Sequence, residues 1–170
     1  MINMMKIVGA KGNIQDINGF LKKVGSFAKN HDLVIQVVDA DLVYGKNHLV
    51  SAANHASRAM DRKTNTTNSL EMEILLYASG ERQLKLAIPK MGVKDKGTKV
   101  AFVFVGDKVS NKIIDEFLSL LSLKQDDKVL EGDENTLKKF GLNDEEIKTV
   151  TKDKYGDLIL EKVAMVDIIK

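Results

Sequence analysis

The stretch from His48 to Gly106 constrains the fold of this chain more than any other part of the sequence. It contains, in order, an alanine-rich amphipathic segment, a polar Thr/Asn spacer, a nearly all-apolar segment and a continuous apolar run that ends at Val105. Alanines that recur every three or four residues form one face of a helix and allow close approach of another helix. The final run is typical of a buried strand. The stretch therefore predicts tightly packed helices covering a sheet.

Strand and helix patterns alternate over the rest of the chain. Strands are predicted at Met4–Val8, Leu33–Val38 and Lys99–Val105, and the second is expected to be central because it is almost wholly apolar. The longest helical patterns cover 14–29, 46–63, 110–121 and 155–168, and shorter ones include 69–78 and 81–88. We expect one mixed α/β (α+β) domain over residues 1–170, with a small sheet of three to five strands covered by about seven helices.

Three local signals predict where elements begin and end. Gly9-Ala10-Lys11-Gly12 is interpreted as a turn rather than a phosphate loop, because it lacks both the full dinucleotide pattern and a Walker Lys-Ser/Thr. Asn68 and Glu71 have the spacing of a capping box. Pro89 is expected to end or kink the helix that begins near Glu81.

The composition narrows the functional class. There is no cysteine, which excludes disulfides, thiolate nucleophiles and sulfur-ligated metals. No apolar run approaches the roughly 18 residues of a membrane span, and the N-terminus lacks the core of a signal peptide. We therefore expect a cytoplasmic protein.

Charge is distributed unevenly along the chain. Residues 46–108 contain eleven basic and six acidic side chains, giving +5, whereas residues 109–170 contain ten basic and fourteen acidic ones, giving −4. A basic middle followed by an acidic end suits two partners of different chemistry, such as an RNA and a protein. Ordinary solvated surfaces of uneven composition are the alternative.

Catalytic and metal-binding patterns are weak. His48 and His55 are seven residues apart and share a helical face, but no nearby carboxylate completes a metal site. Glu71 and Glu73 point to different sides of a helix, which argues against an acid/base pair. The sequence also lacks a nucleophile elbow, a zincin motif and a kinase signature set. We therefore predict a protein that is not an enzyme and that holds no metal or cofactor.

A polar helical face is the best candidate for RNA binding. Asn54, Arg58 and Arg62 follow at intervals of four, and guanidinium groups bind phosphate oxygens bidentately. The next helix is apolar nearly all round, so that it is either buried or offers an exposed apolar surface to an unpaired base. A solvated face and simple burial are the alternatives. The candidate RNA contacts are Asn54, His55, Arg58, Arg62, Lys63, Ile74, Leu75, Arg82 and Gln83.

The last helix has an excess of apolar residues that cover more than one face. Such a segment either docks another protein, packs entirely into its own core or forms a terminal strand. The candidate docking residues are Leu158, Ile159, Val163 and Val166.

The order and spacing of several segments resemble a known family. They are GKNHLVSAANHASRAM (45–60), SLEMEILLYASGERQLKLAI (69–88), a Met-Gly-Val turn and an apolar strand. Together they are similar to the kinase-binding regulatory subunit of the KEOPS complex, the TPRKB-like family. The likeness is clearest over residues 45–106 and looser elsewhere.

This resemblance implies a non-catalytic subunit of the complex that installs a threonylcarbamoyl group on tRNA adenosine. Members of the family bind and stimulate a RIO-like kinase/ATPase and help recruit tRNA through its 3′ CCA end. The threonylcarbamoyl transferase subunit is then an indirect partner. The last helix becomes the expected kinase-docking element, and the basic face becomes the expected tRNA contact. A stand-alone single-stranded RNA or tRNA-binding module is the alternative.

Overall fold

Four antiparallel strands form the sheet, within the predicted range of three to five. A computed structural model describes residues 4–170, so residues 1–3 of the predicted domain lie outside it. The strands are β1 (Met5–Ile14), β2 (Val34–Asp39), β3 (Gly97–Val105) and β4 (Lys124–Gln125), in the order β2-β3-β1-β4. β3 pairs with both long neighbours, which explains its uninterrupted apolar sequence.

Eight α-helices surround this sheet among the described residues. They are α1 (Ile17–Asn30), α2 (Gly45–Asp61), α3 (Leu70–Ser79), α4 (Leu84–Met91), α5 (Asn111–Leu120), α6 (Glu134–Phe140), α7 (Asp144–Ile147) and α8 (Tyr155–Ile169). Three short 3-10 helices lie at Ala40–Leu42, Asp127–Leu130 and Lys152–Lys154. The predicted α+β domain is confirmed.

The helices divide into two layers, one on each face of the sheet. α1 and α5 pack against one face through a phenylalanine cluster in which Phe117 contacts Phe27, Phe102 and Phe104. The opposite face carries α2, α3, α4 and the C-terminal helices. Ala52, Ala53 and Ala56 of α2 have no solvent exposure. These small side chains lie in the same core cluster as α3 and α8, as the alanine pattern predicted.

The prediction that β2 is central was wrong, because β2 is an edge strand. Its side chains are apolar because helices cover both faces: Ile35 and Val37 belong to one core cluster and Val38 to the other. Gln36 occupies part of the free edge. Its side-chain oxygen accepts from the Val37 N–H at 2.9 Å, and its amide donates to the Glu71 carbonyl. This side chain therefore protects the edge from pairing with another strand.

Gly9-Ala10-Lys11-Gly12 is not a turn but the middle of β1. The glycines serve close packing instead. A Cβ at Gly9 would lie 2.7 Å from the Asp126 carbonyl oxygen, and one at Gly12 would lie 2.7 Å from a Leu123 methyl group. The chain thus needs glycine where residues 122–130 pack against the strand.

Two further local predictions also need correction. Ser69, rather than Asn68, caps α3, since its hydroxyl accepts from the Met72 N–H at 3.4 Å. Of the two outcomes expected at Pro89, an end or a kink, the first is wrong, because α4 continues to Met91. Gly92 N–H bonds to the Ile88 carbonyl at 2.8 Å, so the ladder resumes after the proline.

Candidate functional site

The end of α2 presents basic side chains to solvent. Arg58, Arg62 and Lys63 are exposed, whereas Asn54 and His55 are half-buried. Residues four apart share a helical face, so Asn54, Arg58 and Arg62 line up as predicted. Lys63 has a φ of +59° and turns the chain away from the helix. We call Arg58, Arg62 and Lys63 the basic patch.

Arg82 and Gln83 do not join the basic patch. Both follow α3, and Gln83 is the N-cap of α4 rather than part of a helix that starts at Glu81. The basic patch lies before α3, next to the spacer that leads into it. Ten helical residues separate the two positions by about 15 Å, since a helix rises about 1.5 Å per residue. The structure therefore places these two residues at the far end of α3.

Ile74 and Leu75 are buried, with 0% and 4% exposure. The prediction that these two side chains form an exposed apolar surface for a base was therefore wrong, because neither is accessible. α3 contacts α2, α4, α8 and β2, and this all-round coverage explains why its sequence is apolar on every side.

Asp167 of α8 connects its helix to both α2 and α3. One carboxylate oxygen lies 2.9 Å from His55 Nδ1, and the other accepts a hydrogen bond from the Tyr77 hydroxyl. The rings of His55 and Tyr77 stack with centroids 5.5 Å apart. Burial alone raises the pKa of Asp167, but the bonds from Tyr77 and His55 outweigh it, so that this pKa lies below its ordinary value. The carboxylate is therefore ionised at neutral pH.

Arg58 extends this network towards solvent. Its Nη2 lies 3.1 Å from His55 Nδ1, the same nitrogen that contacts Asp167. A guanidinium only donates, whereas the ionised carboxylate only accepts. His55 Nδ1–H therefore donates to Asp167, and Arg58 stands beside this pair as a neighbouring cation.

Glu73 forms a second, fully buried connection. Its carboxylate accepts from the N–H groups of Thr66 and Thr67 at 2.9–3.1 Å and from the Thr67 hydroxyl at 2.7 Å. Lys170 Nζ lies 3.0 Å away, and the two side chains are 0% and 6% exposed. Burial raises the pKa of Glu73, but these hydrogen bonds lower it more, so the net shift is downward. The ion pair thus joins the polar spacer to the end of α8.

His48 is a core residue rather than a ligand. Its Nδ1 accepts from the Tyr44 N–H at 3.1 Å, and its Nε2 donates to the Ala78 carbonyl at 2.8 Å. Because both nitrogens are occupied by the backbone, the ring is held neutral, and burial lowers its pKa to about 4. Residues 4–170 contain no group of three His, Asp or Glu side chains placed to hold a metal ion.

The predicted docking residues of α8 face inward. Ile159, Val163 and Val166 have no solvent exposure and lie in the core cluster with α2 and α3, while Leu158 is half-buried. The opposite side of the helix carries Met165, Ile168 and Ile169, which are exposed by 40%, 75% and 41%. The predicted apolar excess on this helix is present, but three of the four residues chosen from it are inaccessible, and the exposed apolar residues lie elsewhere on the helix. We call Met165, Ile168 and Ile169 the outer apolar face.

Sequence reasoning missed the polar connections between helices. Tyr77, Asp167 and Lys170 were not singled out, and Glu73 was considered only as a catalytic acid. A signal existed for Glu73, since a carboxylate inside an otherwise apolar helix requires donors. No sequence spacing identifies Asp167 or Lys170, which lie ninety or more positions away from their partners on α3. No helix in the described part of the chain is long and apolar enough to span a membrane.

Comparison with known proteins identifies the family. The family described as "Kinase binding protein CGI-121" matches residues 12–167. A protein of Methanocaldococcus jannaschii named "Regulatory protein Cgi121" is 33% identical over 141 residues, which covers 83% of this chain and 88% of that relative. Both descriptions name a binding or regulatory protein, in agreement with the prediction that the chain is not an enzyme. The resemblance drawn from the sequence is confirmed, and the chain belongs to the CGI-121 family of kinase-binding regulatory proteins.

Proposed function

We propose that this protein is the kinase-binding and tRNA-recruiting subunit of a KEOPS complex, in which it binds a RIO-like kinase/ATPase and the 3′ CCA end of tRNA. The family match over residues 12–167 is the observation that carries the proposal. The similarity of residues 45–106 to KEOPS kinase-binding subunits supports the choice of complex. The exposed basic patch supports the RNA part.

The kinase docks on the outer apolar face of α8. The inner face of this helix is already used by the core, so only the outer face is available for a partner. Ile168 is the most exposed large hydrophobic side chain in residues 4–170. Exposed Asp157 and Glu161 precede it on the same helix, which favours a partner surface that combines apolar pockets with basic groups.

Replacing Ile168 by aspartate is expected to weaken kinase binding by about tenfold or more, because a charge then enters the centre of the interface. The side chain is 75% exposed in the free protein, so the fold is expected to tolerate the change. Calorimetry with the purified RIO-like kinase measures the affinity.

Leu21→Asp is the matched control for this experiment. Leu21 is 45% exposed, but it lies on α1 in the opposite helix layer. This variant is expected to bind the kinase normally. Equal affinity of the wild type and Ile168→Asp, with both proteins folded, would place the kinase elsewhere.

The double variant Arg58→Glu/Arg62→Glu is expected to bind tRNA about tenfold or more weakly, because two phosphate-facing cations become anions. The dependence of affinity on salt should also become shallower. Fluorescence anisotropy at several salt concentrations measures both effects, with intact tRNA and with tRNA lacking the terminal CCA.

Lys22→Glu/Lys23→Glu makes the same change in net charge on exposed residues of α1. A reduction confined to the α2 variant supports a defined site, whereas equal losses in both variants indicate general electrostatics only. Equal affinity for the two tRNAs would argue against recognition of the CCA end.

A further inference from the structure

The carboxylate of Asp167 lies among groups that are suited to an oxyanion. It accepts from the Tyr77 hydroxyl, lies 2.9 Å from His55 Nδ1, and has the Arg58 guanidinium beside the same nitrogen. A phosphate oxygen accepts from these three donor types in the same way as a carboxylate oxygen. The basic patch therefore extends inward to an anion-binding position, and the Asp167 carboxylate occupies that position.

The last turn of α8 places no fully buried apolar side chain in the core beyond Val166. Ile168 and Ile169 project into solvent. An acidic side chain near a helix C-terminus also opposes the helix dipole, and the ammonium of the C-terminal Lys170 is engaged with Glu73. Its position thus depends on two polar connections, Asp167 to His55 and Tyr77, and Lys170 to Glu73.

We infer that His55, Tyr77 and Arg58 form a phosphate subsite for RNA, and that Asp167 fills this subsite until RNA displaces it. The inference rests on the RNA-binding function proposed above. It adds Tyr77 to the RNA contacts, since its hydroxyl becomes accessible once Asp167 leaves. It also makes the last turn of α8 an autoinhibitory element that RNA must release in order to bind fully.

Displacement has a limited energetic cost because the exchange conserves hydrogen bonds. The phosphate replaces the carboxylate as acceptor for Tyr77 and His55, and Arg58 gains an anion that it can contact directly. The Asp167 side chain is 47% exposed, so that it moves into water without crossing the core. The remaining cost is the ordering lost in the last turn, and this cost lowers the apparent RNA affinity of the intact protein.

Two substitutions that change the net charge in opposite directions test the inference in the full chain. Asp167→Asn removes an anion, and Lys170→Met removes a cation from the other connection. General electrostatics predicts that the first strengthens and the second weakens tRNA binding. Release of the last turn predicts that both strengthen it, with a gain of about fivefold for Asp167→Asn. Glu161→Gln on the exposed side of α8 is the control for loss of one negative charge.

Hydrogen exchange of the wild type supplies a measurement that needs no variant. The Lys170 N–H bonds to the Val166 carbonyl at 3.1 Å, and amides 167–170 should exchange faster when tRNA is added. Unchanged protection in the tRNA complex, or a gain for Asp167→Asn no larger than that for Glu161→Gln, would overturn the inference. The proposed function survives that result if Arg58→Glu/Arg62→Glu still weakens tRNA binding about tenfold or more. Absence of tRNA binding by the wild type and by both released variants overturns both proposals.

Discussion

Glu73→Ala is expected to lower the free energy of unfolding by about 3–5 kcal/mol, the cost of breaking a buried ion pair by removing one partner. The carboxylate is completely buried and is bonded by Thr66, Thr67 and Lys170. Alanine leaves the Lys170 ammonium and two backbone N–H groups without their acceptor. It also leaves a cavity beneath the spacer. Urea unfolding at neutral pH measures the change.

Glu71→Ala is the matched control, since it removes the same side chain from the same helix at a half-buried position. We expect its effect to stay within about 0.5 kcal/mol, as is usual for surface substitutions. Glu73→Gln should fall between the two variants, because its oxygen still accepts from Thr67 while the ion pair is lost. If Glu73→Ala is no less stable than Glu71→Ala, the buried network does not contribute as described.

Acidification from pH 6.5 to pH 4 is expected to remove about 3 kcal/mol of stability through His48 alone, because its folded pKa is about 4 and its ordinary value is 6.5. The unfolded chain takes up a proton below pH 6.5, whereas the folded ring stays neutral until about pH 4. The contribution of His48 is therefore fully present above pH 6.5 and is lost as the pH falls through this window. Urea unfolding at pH 7, 6, 5 and 4 measures it.

His48→Gln isolates this effect, since glutamine carries no titrating group but can still donate to the Ala78 carbonyl. The variant should be less stable at pH 7 and have a flatter pH profile. The carboxylates are common to both proteins, so their titration affects the two pH profiles alike. The pKa values of Glu73 and Asp167 are lowered, so their contributions are lost only as the pH falls through those lower values. Parallel profiles for the wild type and His48→Gln would contradict the assignment.

Sequence patterns predicted the helices and strand β3, because burial of an element imposes a recognisable pattern on its sequence. The alanines of α2, the continuous run of β3 and the inward face of α5 are examples. The pattern failed where two different arrangements bury the same residues. A strand has the same apolar sequence pattern at the centre of a sheet and at an edge covered by helices, as β2 shows. The sequence likewise does not distinguish a glycine in a turn from one on which another segment packs closely, as in β1.

The candidate site shows the same division. Spacing by four was enough to align Asn54, Arg58 and Arg62, because a helix by itself fixes that geometry. Helical spacing was not enough to choose between the two faces of α8, since both carry apolar residues. Only the packing of α8 on α2 and α3 decides which face remains exposed.

The sequence alone determined the fold class, the family, the position of the basic patch and the excess of apolar residues on the last helix. All of these depend on residues close together in the chain, where local geometry relates sequence to surface. Only the tertiary structure revealed that Asp167 reaches His55 and Tyr77 and that Lys170 reaches Glu73. Such contacts join residues about a hundred positions apart, and they exist only because the core brings α8 across α2 and α3.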